Sequence, residues 1–129
     1  MARVVLSAFP MIDPETYRDV LAAAVDEPVD IEVAELGSTE NLIAAAEGAD
    51  PVVTDLNTPV TAAALDELDL RVLVRPAVGV DNIDLAAAAA NGATVTRVPD
   101  YCTDEVATHS LSSLFTCLPS LPEYDAPSA

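Results

Sequence analysis

The sequence predicts an α/β fold, a doubly wound parallel sheet of five strands with helices on both faces. Three observations predict it. Short runs rich in Val, Leu and Ile alternate with segments whose apolar residues recur at helical spacing, which is the pattern of successive βαβ units. The chain has 129 residues, within the usual size of a single core. Hydrophobic residues make up 51% of the chain but aromatic ones only 4%, so the core must be built from Val, Leu, Ile and Ala, a mixture that suits thin helices against a buried sheet.

The first strand is expected over Arg3–Phe9. Asp13-Pro14 then marks the start of a helix over Pro14–Val25, in which Tyr17, Val20, Leu21 and Ala24 recur on one face and leave the charged residues to solvent. A second strand over Asp30–Glu35 leads through the capping pair Ser38-Thr39 into a helix over Thr39–Glu47. The third strand, Pro51–Asp55, is followed by a helix over Val60–Leu68. The fourth, Arg71–Arg75, is followed by a helix over Asn82–Ala90, and Asn91-Gly92 ends that helix with a pair that readily turns left-handed. The fifth strand, Ala93–Val98, closes at Pro99. Thr103, Asp104 and Glu105 then place a cap and two acids at the positive end of a fifth helix, whose stripe is Ala107, Leu111, Leu114, Phe115 and Leu118. The expected organisation is therefore a sheet domain over residues 1–102, an interdomain helix over 103–118 and a proline-rich tail over 119–129. Right-handed crossovers favour the flavodoxin-like strand order 2-1-3-4-5, in which ligands bind at the carboxyl ends of strands, here near Met11, Asn57 and Gly79.

Charge narrows the partners. The chain carries 22 acidic residues against five arginines, for a formal net charge of -17. Such a field repels phosphate backbones and anionic headgroups, so nucleic acid and membrane surfaces are excluded as partners. An acidic shell around an apolar core suits a salty cytoplasm, where salt screens the self-repulsion. Cys102 and Cys117 are too few for a disulfide framework or a zinc site, and both are expected to be reduced thiols. The apolar run Met1–Leu6 is shorter than a signal-peptide core, so a cytoplasmic location is expected.

The chemistry concentrates in Arg75-Pro76-Ala77-Val78-Gly79-Val80-Asp81-Asn82-Ile83-Asp84, which leaves a strand and enters a helix. Gly79 lets backbone approach a ligand, and the helix beyond offers unpaired N–H groups that favour an anion, unless Asp81 or Asn82 caps it. Arg75 stands beside this loop, where it either helps to hold a carboxylate or pairs with an acid. The loop runs on into Leu85-Ala86-Ala87-Ala88, then Gly92, then Val98-Pro99-Asp100-Tyr101-Cys102-Thr103-Asp104-Glu105-Val106-Ala107 and His109. Together these segments resemble the NAD-dependent D-isomer-specific 2-hydroxyacid dehydrogenases, above all the phosphoglycerate-dehydrogenase-like members and those related to the C-terminal binding protein. The resemblance runs from about Pro51 to Leu118.

The resemblance implies a flavodoxin-like substrate domain that receives the carboxylate of a small 2-hydroxy or 2-keto acid on the backbone N–H groups of Val78 and Gly79. Val78 would also lie near the nicotinamide, and Val106 occupies a position that touches cofactor in relatives. Two departures stand out. Pro76 and Ala77 replace residues that are commonly different in the family, and the sequence ends at Ala129 before any G-x-G-x-x-G fingerprint or the family's catalytic Arg, Glu and His. The expectation is thus a truncated substrate domain, catalytically silent and without bound NAD by itself. The alternative is a non-catalytic carboxylate-binding or dimerisation module, with a homodimer covering an apolar face.

Four further residues carry bland expectations. His109 should pack at a domain boundary, since the family's catalytic histidine comes later in the chain. Cys102 and Cys117 should be partly buried, unreactive thiols. Asp55, at the end of the third strand, sits where receiver domains of the same topology accept phosphate. Leu6-Ser7-Ala8-Phe9 supplies no acids to hold Mg²⁺ there, however, and the chain has no lysine.

Overall fold

A computed structural model describes residues 2–118, so the expected proline-rich tail lies outside the described residues. They fall into two units that divide between Pro99 and Asp100, just before the expected boundary at residue 102. The first unit contains β1 (Ala2–Ser7), α1 (Pro14–Ala24), β2 (Val29–Ala34), α2 (Thr39–Ala46), β3 (Val52–Val53), α3 (Ala62–Glu67), β4 (Val72–Arg75), α4 (Leu85–Ala90) and β5 (Thr94–Arg97). The second contains α5 (Thr103–Cys117).

The sheet is parallel throughout, in the order β2-β1-β3-β4-β5. Side chains alternate across a strand, so each strand serves both faces. On one face Val5, Val52 and Leu73 join Leu42 and Ala46 of α2, Ala64 and Leu65 of α3, and Ala88 of α4 in the larger core. On the other, Val4, Leu6 and Val53 pack with Ile12 and with Tyr17 and Leu21 of α1. Burying one such Leu or Val stabilises the fold by about 1.5–3 kcal/mol.

The helix starts follow local chemistry. Asp13 accepts from the N–H groups of Glu15 and Thr16 at 3.2 Å each, Ser38 from that of Asn41 at 3.1 Å and Thr61 from that of Ala64 at 3.3 Å. Gly48 and Gly92 take φ of 70° and 74°, just beyond α2 and α4.

Several expectations need correction. Only Tyr17 and Leu21 of the α1 stripe are partly buried, while Val20 is 60% exposed and Ala24 is exposed too. The cause is that α1 lies over β2, the strand at the sheet's edge, and meets too narrow a strip to cover a whole helical stripe. β3 is only two residues long, because Pro51 cannot donate to the ladder and the chain turns after Thr54, whose N–H still reaches the Val74 carbonyl at 2.9 Å. Thr103 is the first residue of α5 rather than its cap. Cys102 takes that position in a left-handed conformation with φ of 57°, and no side chain caps the helix.

Candidate functional site

The carboxyl ends of β3, β4 and β5 converge on one loop. After Arg75 the chain runs through Val78 and Gly79 to Asp84 before α4 begins at Leu85. Within it the Ala77 N–H donates to the Arg75 carbonyl at 2.8 Å, the Val98 N–H to the Ala77 carbonyl at 3.1 Å, and the Ile83 N–H to the Val80 carbonyl at 3.0 Å. The N–H groups of Val78 and Gly79 have no protein acceptor among the described residues, and both residues are exposed. Unpartnered backbone donors beside each other are what a bound carboxylate requires.

Arg75 lies at the carboxyl end of β4, on the same sheet face as Leu73. Its Nε is buried without a hydrogen-bond partner among the described residues. In register with it on β5 stands Arg97, whose Nη1 donates to the Val78 carbonyl at 2.9 Å. Two like charges sit side by side in a strongly acidic chain. The ion pairs of the described residues are Arg3 with Glu32 and Arg71 with Asp50, so neither Arg75 nor Arg97 has a carboxylate partner among them.

The far end of the loop is anchored by Asn82. Its Nδ2 donates to the carbonyls of Asp55 at 2.9 Å and Thr58 at 2.7 Å. Backbone bonds from the Val60 N–H to the Asn82 carbonyl and from the Asp84 N–H to the Val60 carbonyl, both 2.9 Å, join the same two loops. Asp55 is 6% exposed and accepts from the hydroxyls of Ser7 and Thr58 and from the Asn57 N–H. Its surroundings make it an organiser of the loop after β3, which agrees with setting aside a phosphoacceptor role.

The helix start is not where the sequence suggested. The expected helix from Asn82 begins instead at Leu85, and its cap is Asp84, whose carboxylate accepts from the Ala87 N–H at 2.9 Å. The bridge between Val60 and Ile83 holds this stretch out of the helix. An acid, not a ligand, therefore occupies the start of α4. A cleft of about 410 Å³ lies between the two loops, lined by Asn57, Thr61, Asp81, Asn82 and Asp84 among others. Its carboxylates make it a poor seat for an anion, which leaves the Val78–Gly79 backbone and Arg75 as the carboxylate-binding candidates.

The remaining candidates lie in the second unit or at its approach. Val106 is 62% exposed in the first turns of α5, and His109 is exposed on the same helix. Cys102 is half-buried and Cys117 exposed, which corrects the expectation of two partly buried thiols. Cys117 lies in the last turn of α5, none of whose residues is buried, whereas Cys102 precedes the helix. Sequence reasoning missed Arg97 and Asn82 as site residues. The strand order 4-5 already placed Arg97 beside Arg75 and was the signal available for it.

The fit to a dinucleotide fails within the described residues. The chain's four glycines are Gly37, Gly48, Gly79 and Gly92, dispersed so that no strand-to-helix turn holds two. A pyrophosphate cradle of the Rossmann kind needs several glycines in one such turn.

The chain matches the family model described as D-isomer specific 2-hydroxyacid dehydrogenase, catalytic domain, over residues 5–117. It is 31% identical over 103 residues to the D-3-phosphoglycerate dehydrogenase of Methanocaldococcus jannaschii, covering 79% of this chain and 20% of that protein. With the D-3-phosphoglycerate dehydrogenase of Mycobacterium tuberculosis it shares 30% over 105 residues, 81% of this chain and 20% of that one. The chain thus spans about a fifth of the length of the curated relatives it matches. In fold it is similar to D-lactate dehydrogenase from Aquifex aeolicus complexed with NAD and lactic acid, with a TM-score of 0.73 at 22% identity over 95% of this chain and 35% of that one. The apo D-lactate dehydrogenase of Escherichia coli gives a TM-score of 0.65 at 22% identity, over 88% of this chain and 36% of that one.

Proposed function

This chain belongs to the D-isomer specific 2-hydroxyacid dehydrogenase family, and we propose that it forms the part of a substrate site that holds the carboxylate of a small 2-hydroxy or 2-keto acid. The observation that carries the proposal is the pair of exposed, unpartnered N–H groups at Val78 and Gly79, at the carboxyl end of a parallel sheet. Arg75 supplies the cation, its buried Nε lacking an acceptor among the described residues. A charge-assisted bond from a guanidinium is about twice as strong as a neutral one, so one arginine and two amides suffice to orient a small acid.

NAD supplies the hydride chemistry in complete enzymes of this kind. Val78 beside the substrate and Val106 on α5 are the positions proposed to face it. The described residues hold no cradle for the dinucleotide, so this chain is expected to bind the acid without NAD. The unit Met1–Pro99 contains no histidine, and its part in the reaction is binding and orientation rather than proton transfer. The acidic surface fits a salty cytoplasm, where counterions screen it.

Isothermal titration of the purified chain in molar KCl tests this. Heat on adding phosphoglycerate or a short 2-hydroxy acid, with none on adding NADH, is the expected result. Silence with every acid would contradict the proposal, and NADH binding or oxidation would contradict the division of labour.

A further inference from the structure

We propose that Arg97 is a positioning residue that aims the Gly79 N–H at the substrate carboxylate by holding the other side of the same peptide bond; the inference rests on the carboxylate reading of the Val78–Gly79 loop. The carbonyl of Val78 and the N–H of Gly79 belong to one planar trans peptide and point in opposite directions. Fixing the carbonyl therefore fixes the donor. The Arg97 guanidinium does so with a 2.9 Å bond from Nη1 to the Val78 oxygen.

This peptide needs such an anchor. Gly79 carries no side chain, and among the described residues the nearest bonds on either side of this peptide are at Ala77, which bonds the Arg75 carbonyl and the Val98 N–H, and at Val80, through the Ile83 N–H. Rotation of the peptide between those two points would turn the Gly79 N–H away without breaking any other bond of the loop. Arg97 opposes that rotation. A cation on the carbonyl also polarises the amide, which strengthens its N–H as a donor to an anion.

The position of Arg97 is unusual for a chain of this charge. It stands in register with Arg75 on the adjacent strand, has no carboxylate partner among the described residues and is exposed. Its described partner is the Val78 carbonyl rather than one of the chain's 22 acids. Because the side chain is exposed, replacing it leaves the core untouched, and the variants should fold.

The test uses the full chain labelled with ¹⁵N, with D-lactate as the probe, comparing wild type, Arg97→Met and Arg97→Lys. In the wild type the Val78 and Gly79 amide signals should shift saturably with D-lactate. Arg97→Met should weaken binding about tenfold, move the ligand-free Gly79 signal and leave the unfolding midpoint within a few degrees. Arg97→Lys, which keeps a charged donor, should recover part of the loss. Wild-type signals that do not respond to D-lactate would overturn the carboxylate reading and this inference with it. A responding wild type with unchanged affinity in Arg97→Met would overturn the inference alone. So would a loss that vanishes in molar KCl, since that would be screened attraction rather than positioning.

Discussion

Gly79 is placed where bulk, not backbone strain, decides the outcome. A Cβ built on it would meet Asp81 Oδ2 at 3.3 Å, the far end of a flexible side chain. The fold should tolerate Gly79→Ala, with a midpoint near that of wild type, while the methyl group crowds the two exposed amides and weakens acid binding roughly tenfold. A calorimetric titration of the variant checks this. Asn82 makes the opposite case, because its two bonds serve the protein itself. Asn82→Asp removes both donors and turns a carboxylate toward the carbonyls of Asp55 and Thr58, which should cost about 1–3 kcal/mol in chemical denaturation. The sequence offered Asp81 or Asn82 as the cap, and nothing local pointed to Asp84 instead. The choice of Asp84 depends on the bridge between Val60 and Ile83, a contact between distant segments. Arg97 was hidden for the same reason, since its partner is a carbonyl on the neighbouring strand's loop.

At the scale of elements, the alternation of strands and helices was legible from periodicity, and the strand order from the right-handed crossover rule applied to it. The ends of elements were less so. β3 and α4 came out shorter than their apolar runs, as Pro51 and the Val60–Ile83 bridge overrode local preference. The start of α1 was legible from Asp13-Pro14. Hydrogen bonds from the Thr16 side chain and backbone, then from the Glu15 backbone, hold the Asp13 carboxyl below its ordinary range. A folded-state pKa lowered in this way contributes stability that is complete above the unfolded value and is lost as pH falls through the folded one. Asp13→Ala should therefore lower the unfolding midpoint at neutral pH and converge with wild type in strong acid, as followed by circular dichroism. Farther along the chain, Gly92 closes α4 with φ of 74°. Gly92→Ala should cost about 1 kcal/mol through that angle, read as a lowered denaturation midpoint.

For the whole molecule, charge is the dominant property. A net charge of -17 on 129 residues opposes compaction. Raising KCl from millimolar to molar should lift the thermal midpoint, on the order of 5–10 °C, by screening that repulsion. A midpoint indifferent to salt would count against the acidic shell as an adaptation to a salty medium. No helix among the described residues is long and apolar enough to cross a membrane. Composition made the charge legible at once. The site was legible only as a loop, because the arrangement that makes it useful comes from three strands ending together. The most direct test of the central claim is an amide-resolved titration of the ¹⁵N-labelled chain with D-lactate and with phosphoglycerate in molar KCl. Saturable shifts centred on Val78 and Gly79, with the Arg75 Nε signal moving at the same ligand concentration, are the predicted result. Shifts centred elsewhere, or none at all, would contradict it.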